Sequence, residues 1–320
     1  MAAAMRLQDR LSLPLIGAPM FLVSGPDLVV AQCTAGIAGT FPTLNARPQS
    51  QLHDWLAGIE ARLAQHDAAH PGAPAAPYGV NLVVHDSNPR WRGDLDICVA
   101  HRVPLYITSL HSPEVVVEAA HRYGAQVWHD VTTVRHARRA LRAGVDGLIL
   151  VAAGAGGHAG QLNPIALVNE VRAFYDGPLA LSGCISHGKD ILAAQVLGCD
   201  VAYMGTRFVA TRESLAPDRY REMMLAAAAQ DIVNTPYFSG VAANYLADSI
   251  RSVGLDPDQV HAARPGGPQL DKTRQPRAWK DIWSAGQGVG AVQEILPATE
   301  LVAQLKREYQ EARRLMQAAA

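Results

Sequence analysis

An α/β fold is predicted for this chain, namely a (β/α)8 TIM barrel with a C-terminal, mainly helical extension. Eight short apolar runs recur between Pro14 and Phe208, and stretches with helical periodicity lie between them. Most of these runs are continuously apolar, which is typical of parallel strands buried on both faces. Several helical stretches end at a glycine just before the next run. Eight such strand–helix units predict a closed barrel, and a doubly wound open sheet is the structural alternative.

Each apolar run is assigned as one strand. The predicted strands cover residues 14–20, 36–41, 78–84, 103–110, 125–131, 146–152, 178–182 and 200–208. The predicted helices cover residues 27–35, 50–65, 94–100, 112–123, 133–143, 164–175, 186–197 and 214–229. Two of them start with a capping side chain followed by proline, at Ser112-Pro113 and Asn163-Pro164.

The active site of a (β/α)8 barrel lies where the strands end, so the residues that follow the eight runs are expected to share one rim. That rim is expected to include Ala18 to Met20, Pro42, Thr43, Asn81 to His85, Ser109 to His111, His129, Asp130, the loop around His158, Ser182 to Cys184, Gly205 and Thr206.

The pattern changes after the eighth unit. Residues 231–281 hold many prolines and glycines, among them Pro265-Gly-Gly-Pro268, together with short helical pieces. Residues 301–316 are amphipathic and predict a closing helix. We therefore expect a barrel domain over residues 1–230 and an extension over residues 231–320. The extension would pack on the barrel as a lid or as a dimer contact.

The composition is that of a soluble globular enzyme, with 49% hydrophobic residues, 18% charged residues and a formal net charge of −1. Such a chain offers no basic field for nucleic acid and no polybasic patch for a membrane. No apolar run approaches the roughly 18 residues of a membrane-spanning helix. Residues 1–6 lack the apolar core of a signal peptide, and the four cysteines form no CxxC pair. We expect a cytoplasmic protein whose partners are small molecules or a second copy of the chain in a homodimer.

The loop after the sixth run has the composition of an active site. Residues 151–160 place four glycines and four alanines around one imidazole, that of His158. Small residues let the backbone lie close against a ligand, and an imidazole titrates near neutral pH. His158 is therefore a candidate general acid or base. A flexible glycine-rich turn with an incidental surface histidine is the alternative.

Two further loops have the features of a phosphate site. Ser182-Gly183 and Gly205-Thr206 lie at the ends of the seventh and eighth runs. The loops after strands seven and eight of a (β/α)8 barrel commonly bind phosphate through backbone amides. The segment from Gly154 to Ala159 also fits a dinucleotide fingerprint, but the acidic residue and the helix start of that fold are not in place. We therefore predict phosphate binding without a dinucleotide-binding fold.

No metal site is predicted. His66 and His70 have the i,i+4 spacing of a zinc pair, but they fall at a polar helix end far from the rim. For the remaining rim histidines a hydrogen-bonded structural role is favoured over a catalytic one; they are His85, His111, His129 and His136.

Six segments, taken together and in order from about residue 14 to 300, resemble the nitronate monooxygenase family, formerly called 2-nitropropane dioxygenases. They are Ala18-Pro19-Met20, Gly79-Val80-Asn81-Leu82, Ala155-Gly-Gly-His-Ala-Gly160, Ser182-Gly-Cys-Ile185, Met204-Gly-Thr-Arg-Phe208 and Trp283-Ser-Ala-Gly-Gln-Gly288.

The resemblance implies an FMN-dependent oxidoreductase that oxidises alkyl nitronates, such as propionate 3-nitronate or nitroalkane anions, with O2 to carbonyl compounds and nitrite. It implies that His158 is the catalytic histidine. The cofactor-binding residues that it implies are Ala18, Pro19, Met20, Asn81, Gly156, Gly157, Ser182, Gly183, Gly205, Thr206 and Gln287. The family usually has glycine where this chain has Cys184, and a β-carbon disfavours positive φ, so the direction of that amide is in question.

Other activities are compatible with the same segments. FMN-dependent NAD(P)H oxidoreductases of the quinone reductase and enoyl-acyl-carrier-protein reductase types share the FMN loops and the Gly-Gly-His segment. A phosphate-binding lyase or isomerase without flavin, and a flavin-binding protein without turnover, are further hypotheses.

Overall fold

The structure is a computed structural model that describes residues 7–262 and 277–319. Its strands are β1 (Leu15–Gly17), β2 (Ala38–Pro42), β3 (Tyr78–Val84), β4 (Leu105–Leu110), β5 (Gln126–Val131), β6 (Gly147–Val151), β7 (Gly157–His158), β8 (Leu179–Ser182), β9 (Val201–Met204), β10 (Ile232–Thr235) and β11 (Ala243–Leu246). Its α-helices are α1 (Pro26–Thr34), α2 (Gln51–Ala69), α3 (Trp91–Ala100), α4 (Glu114–His121), α5 (Val134–Arg142), α6 (Pro164–Arg172), α7 (Gly188–Val196), α8 (Thr206–Val209), α9 (Asp218–Ala226), α10 (Ala247–Arg251), α11 (Pro257–Ala262) and α12 (Ala298–Ala319). Two segments on which the sequence analysis drew, residues 1–6 and Pro265-Gly-Gly-Pro268, lie outside the described residues.

Eight parallel strands close into a barrel in the order β1-β2-β3-β4-β5-β6-β8-β9, and β9 pairs back with β1. A helix separates each strand from the next one in the barrel, as parallel pairing requires. The predicted (β/α)8 barrel is therefore confirmed. Two strands end several residues before their predicted ends. β1 ends at Gly17, two residues before Pro19, which has no N–H to donate, and β9 ends at Met204 because α8 begins at Thr206.

Successive side chains of a barrel strand point to opposite faces of the sheet, and this divides the apolar core into two parts. In β4 and β5, Tyr106 and Val127 belong to the large apolar cluster that the surrounding helices share. Their neighbours Ile107 and Trp128 belong to a separate cluster inside the barrel, with Ile149 and others. The barrel interior is thus a packed floor, and a cavity can form only above it, at the strand ends.

The chain beyond α9 adds elements that the sequence analysis did not separate. β10, β11 and the two-residue β7 form a small antiparallel sheet, in which His158 pairs with Ala243 and Gly157 with Asn244. Alternation over four residues or fewer is too short to be recognised, which explains why these strands were missed.

The predicted closing helix is present as α12, and it packs against α1 and α7. Lys306 Nζ donates to the carbonyl of Ala35, and the Glu308 carboxylate accepts from the amide of Gly188, at 2.8 and 2.7 Å. In the two described ranges, no helix combines the length and apolar character needed to cross a membrane.

We expect opposite effects on stability from two glycine-to-alanine substitutions. A β-carbon at Gly147 in β6 would lie 2.5–2.8 Å from ring carbons of the fully buried Trp128, whereas nothing lies within 4 Å of a β-carbon at Gly58 in α2. Gly147→Ala should therefore lower the free energy of unfolding by about 1–3 kcal/mol through overpacking. Gly58→Ala should raise it by about 0.5–1 kcal/mol because glycine is a poor helix former. Denaturant unfolding measures both, and equal effects would contradict the packing described here.

Candidate active site

A cavity of about 730 Å³ opens at the carboxyl ends of the barrel strands. Most of the residues proposed from the sequence line it: Ala18, Pro19, Met20, Asn81, Gly156, Gly157, His158, Ser182, Gly183, Gly205 and Thr206. Gln287 lies beside the cavity, and its neighbours Gly286 and Gly288 form part of the wall. Its backbone N–H donates to the carbonyl of Gly154 at 2.9 Å.

The loop after β1 is held by hydrogen bonds to its backbone. Ala18 N–H donates to the Met204 carbonyl at 2.9 Å, which joins the end of β1 to the end of β9. Met20 N–H donates to Ser24 Oγ, and Asn45 Nδ2 donates to the Met20 carbonyl, each at 2.9 Å. The Met20 side chain is therefore placed at the cavity by partners on both sides of the loop.

The loops after β8 and β9 leave backbone amides free. Within the described residues, the N–H groups of Gly183, Cys184 and Gly205 donate to no protein acceptor. Gly183 has φ +127°, and a β-carbon there would lie 2.8 Å from the Ala153 carbonyl oxygen, so only glycine fits this close turn. Unused amides beside a cavity form a cradle for an anionic group such as a phosphate.

Cys184 has φ +59°, the left-handed conformation that glycine adopts easily. The β-carbon therefore does not prevent this loop from taking a glycine-like path, although it adds backbone strain of about 1–2 kcal/mol. The start of α7, by contrast, is already satisfied: Asp190 Oδ2 accepts from the N–H groups of Ser186 and His187, at 2.9 and 2.8 Å. Hence the loop amides after β8, rather than the start of α7, remain available for a ligand.

His158 is held at the cavity by the small antiparallel sheet. Its Nε2 lies 2.9 Å from Ser239 Oγ, and that hydroxyl donates its only proton to the Val241 carbonyl. Ser239 Oγ must then accept from Nε2–H, so Nδ1 carries a lone pair and has no partner among the described residues. The Trp279 ring packs edge-on against the imidazole, with ring centroids 5.3 Å apart. The His158 imidazole keeps part of its surface exposed, and the partial desolvation that it does undergo lowers its pKa below the ordinary value, which favours the neutral form at pH 7.

Contacts from the chain beyond β9 position the glycine-rich loop. Asn244 Nδ2 donates to the Ala155 carbonyl at 2.6 Å, and Ser284 Oγ accepts from Gly157 N–H at 2.7 Å. Gly286 N–H donates to Thr206 Oγ1 at 2.9 Å, so the same chain segment contacts the loop after β9. The loop that carries His158 is thus fixed in place rather than free to sample many conformations.

A polar row crosses the cavity wall from the middle of β3 to the ends of β4 and β5. Asn81 Nδ2 donates to Ser109 Oγ at 2.9 Å, and Ser109 Oγ donates to Asp130 Oδ2 at 2.7 Å. Asp130 Oδ1 is buried without a hydrogen-bond partner in the described part of the chain. Burial raises the pKa of Asp130 to about 7. Sequence reasoning placed Ser109 and Asp130 on the rim but gave them no role; their position at the ends of neighbouring strands was the available signal.

The other rim histidines fit less central roles. His129 is buried with Nδ1 2.7 Å from Thr108 Oγ1, and burial lowers its pKa to about 4, in keeping with the predicted structural role. His111 and His136 line the cavity, and the rings of His85 and His111 pack 4.5 Å apart. In residues 7–262 and 277–319, no group of three or more His, Cys, Asp or Glu side chains could hold a metal ion.

The charges on the cavity wall favour an anion. Among the described residues Asp130 is the single acidic residue that lines the cavity, and its raised pKa favours the neutral form. Arg139 contributes a guanidinium that forms no salt bridge within residues 7–262 and 277–319. A negatively charged group entering the cavity would therefore meet little repulsion.

Comparisons with known proteins agree with this geometry. The family model described as nitronate monooxygenase matches residues 7–308. A nitronate monooxygenase of Paraburkholderia phytofirmans is 29% identical, and the alignment covers 93% of each chain. A monooxygenase relative from Mycobacterium tuberculosis is 29% identical over 241 residues, which span 71% of this chain and 64% of that protein.

Solved structures with the same architecture include a nitroalkane oxidase from Streptomyces ansochromogenes. It has a TM-score of 0.76 and 26% identity, and the match covers 97% of this chain and 99% of that one. FabK from Thermotoga maritima has a TM-score of 0.79 at 24% identity, over 98% and 97% of the two chains, and this likeness shows the fold alone. With the family model matched over nearly all of the chain, the protein belongs to the nitronate monooxygenase family of oxidoreductases.

Proposed function

We propose that the protein is an FMN-dependent monooxygenase that oxidises alkyl nitronates with O2 to carbonyl compounds and nitrite. The observation that carries the proposal is one cavity that combines an amide cradle, a polar wall opposite it and a neutral histidine at the edge, in a chain of this family. When bound, FMN would accept electrons from the substrate and return them to O2. The protein residues would bind, orient and shield the reactants.

In this proposal, the two walls of the cavity would hold the two ends of an FMN molecule. The free amides of Gly183, Cys184 and Gly205 would hold its phosphate, with Ser182 and Thr206 beside them. Asn81 and the loop from Ala18 to Met20 would line the ring and the ribityl chain. Gly156 and Gly157 would let the backbone approach the cofactor closely, and Gln287 would support this loop through its hydrogen bond to Gly154.

His158 is proposed as the group that handles the substrate proton. Its Nδ1 lone pair has no partner among the described residues and its lowered pKa favours the neutral imidazole, which is the state of a general base. When a neutral nitroalkane enters, Nδ1 would remove the α-proton and the nitronate would form in place. The lowered pKa favours this role over that of a permanent imidazolium that holds the nitro oxygens.

The apolar part of the wall would exclude water from the substrate. Trp279, Trp283 and Val241 line the cavity on the side of His158. Trp283 stacks on Tyr220 with ring centroids 5.1 Å apart, and Tyr220 OH donates to the Ser284 carbonyl, so this side is well supported. An apolar, anion-tolerant space is suited to an alkyl nitronate.

The alternative function is an NAD(P)H-dependent reductase on the same barrel. FabK and an enoyl reductase domain of MlnA from Bacillus amyloliquefaciens have this architecture, at TM-scores of 0.79 and 0.72. Their identities of 24% and 12% support the fold but no choice of substrate. NADH is therefore included in the test below.

We expect the purified protein to show flavin absorbance bands, on isolation or after addition of FMN. Anaerobic propyl-2-nitronate should bleach these bands, and air should restore them with release of nitrite. Bleaching by NADH but not by the nitronate would instead favour the reductase. A protein that binds no flavin would contradict the whole proposal.

We expect His158→Ala to lower kcat/KM for a neutral nitroalkane by about 10²–10⁴-fold, because the proton acceptor is lost. The same variant should lose much less activity with the preformed nitronate, which has no α-proton to remove. In the unsubstituted protein, kcat/KM for the nitroalkane should rise with pH through a pKa below 6.5 and then stay level, since the neutral imidazole is the active form.

His70→Ala is the matched control. His70 is an exposed imidazole at the end of α2, and its Nδ1 lies 3.0 Å from the carbonyl oxygen of His66. It should leave both substrates unaffected. Equal losses with nitroalkane and nitronate in His158→Ala would show that His158 does not act as the base.

A further inference from the structure

Leu110, the last residue of β4, is an apolar side chain that contributes little to the packing of the fold. It lines the cavity, yet 58% of its surface is exposed. Its φ is +79°, in the left-handed region that is costly for a residue with a β-carbon. Within the described residues, Leu110 belongs to none of the apolar clusters of the core. Backbone strain and exposure that no packing offsets are typical of a residue that contacts a ligand.

Hydrogen bonding to the neighbouring strand holds Leu110 in this conformation. Leu110 pairs with Val84 of β3, and the N–H of the next residue, His111, donates to the Val84 carbonyl at 3.0 Å. The imidazole of His111 also packs against that of His85, with ring centroids 4.5 Å apart. These contacts fix the chain immediately after Leu110. The leucine is therefore kept at the mouth of the cavity, where it is both part of the wall and open to water.

A second exposed aliphatic side chain stands at the same mouth. Val241 lines the cavity with 54% of its surface exposed. Its carbonyl oxygen accepts from Ser239 Oγ at 2.9 Å, and that hydroxyl lies 2.9 Å from His158 Nε2. A single serine side chain thus connects the Val241 backbone to the proposed base. Val241 therefore lies on the side of the mouth where the substrate would react.

The barrel order keeps Leu110 away from the phosphate cradle. In the closed ring of eight strands, β4 lies four places from β9, whose following loop carries Gly205. β4 lies only two places from β6, whose following loop carries His158. An apolar group that extends from His158 towards Leu110 would therefore not compete with a phosphate in the cradle.

Resting on the proposed function, we propose that Leu110 and Val241 bind the alkyl chain of the nitronate, and that the enzyme prefers unbranched chains long enough to reach the mouth. The nitronate group would lie at His158 and its chain would run outward between the two side chains. Each methylene that is removed from water in this way favours binding by about fourfold. The substrate chain is the occupant that fits, because both residues belong to the wall of the cavity that holds His158.

A second protein molecule fits this surface less well. The two aliphatic side chains stand at the edge of an opening, so a partner that covered both would have to span it. Polar residues share the same wall, among them His111, Ser112 and Arg139. Interfaces between copies of a chain are commonly more apolar than this. Association between copies is nevertheless an outcome that the experiment below distinguishes.

The test measures kcat/KM of the FMN-loaded full chain, by oxygen uptake, with the preformed nitronates of nitroethane, 1-nitrobutane and 1-nitrohexane. In the unsubstituted protein, we expect kcat/KM to rise by about twofold to fourfold for each added methylene. Leu110→Ala and Val241→Ala should each lower kcat/KM for the six-carbon nitronate by about tenfold and leave that for the two-carbon nitronate within about twofold. The loss should appear mainly in KM, because the chain is bound away from the reacting carbon.

Leu110→Asn separates contact with the substrate from a role in folding. Asparagine tolerates the left-handed conformation and has a similar size, but its amide is polar. This variant should lose the preference for long chains as Leu110→Ala does, and it should unfold at a higher denaturant concentration than Leu110→Ala. If Leu110 served the fold instead, both variants would unfold more easily than the unsubstituted protein and would lose activity equally with every nitronate.

Leu315→Ala is the matched control. Leu315 is a leucine of similar exposure, 55%, on α12, and it does not line the cavity. This variant should keep the chain-length dependence of the unsubstituted protein. A dependence that is absent from the unsubstituted protein, or that persists in both Leu110→Ala and Val241→Ala, would overturn the proposal. So would a change of oligomeric state in Leu110→Asn, measured by light scattering, with an unaltered chain-length dependence, because the surface would then serve association between copies.

The same measurements distinguish this inference from the proposed function. A protein that oxidises the three nitronates at equal kcat/KM would refute only the roles of Leu110 and Val241. A protein that oxidises none of them would refute the proposed function, and the inference with it.

Discussion

Closing eight parallel strands into one ring determines where the functional groups of this protein lie. Parallel strands in sequence order bring all their carboxyl ends to the same side. Asn81, Ser182 and Gly205 are far apart in the chain, yet they line one cavity for this reason. Packing of the interior against Trp128 closes the barrel below them, so the ligand space can exist only at the rim.

The barrel alone does not position His158. The loop that carries it is rich in glycine, and such a segment has many accessible conformations when it is unsupported. Pairing of β7 with β11 and the hydrogen bonds from Asn244 and Ser284 restrict it to one. Ser239 then determines which imidazole nitrogen carries the proton. The chain beyond the eighth barrel unit is therefore part of the site and not only a cover for it.

The two sides of the cavity differ in their polar chemistry. One side offers the N–H groups of Gly183, Cys184 and Gly205, which donate to no acceptor in the described part of the chain and are suited to a fixed negative charge. The other side offers a carboxyl that changes its charge near neutral pH, in a row with Asn81 and Ser109. An extended ligand would therefore meet different polar groups on the two sides of the cavity.

Local sequence patterns were sufficient to predict the barrel and most of the residues on its rim. Continuous apolar runs and capped helices predicted the barrel, because burial on both faces and helix capping act over a few residues. Strand-end position alone brought Asn81, His158, Ser182 and Gly205 to one rim. The left-handed φ of Cys184, the partners of His158 and the unpaired oxygen of Asp130 were not predictable, because each depends on neighbours from distant parts of the chain. Most of the groups that line the cavity followed from the sequence, whereas their protonation and orientation were decided by tertiary contacts, since both depend on burial and on hydrogen-bond partners that only folding brings together.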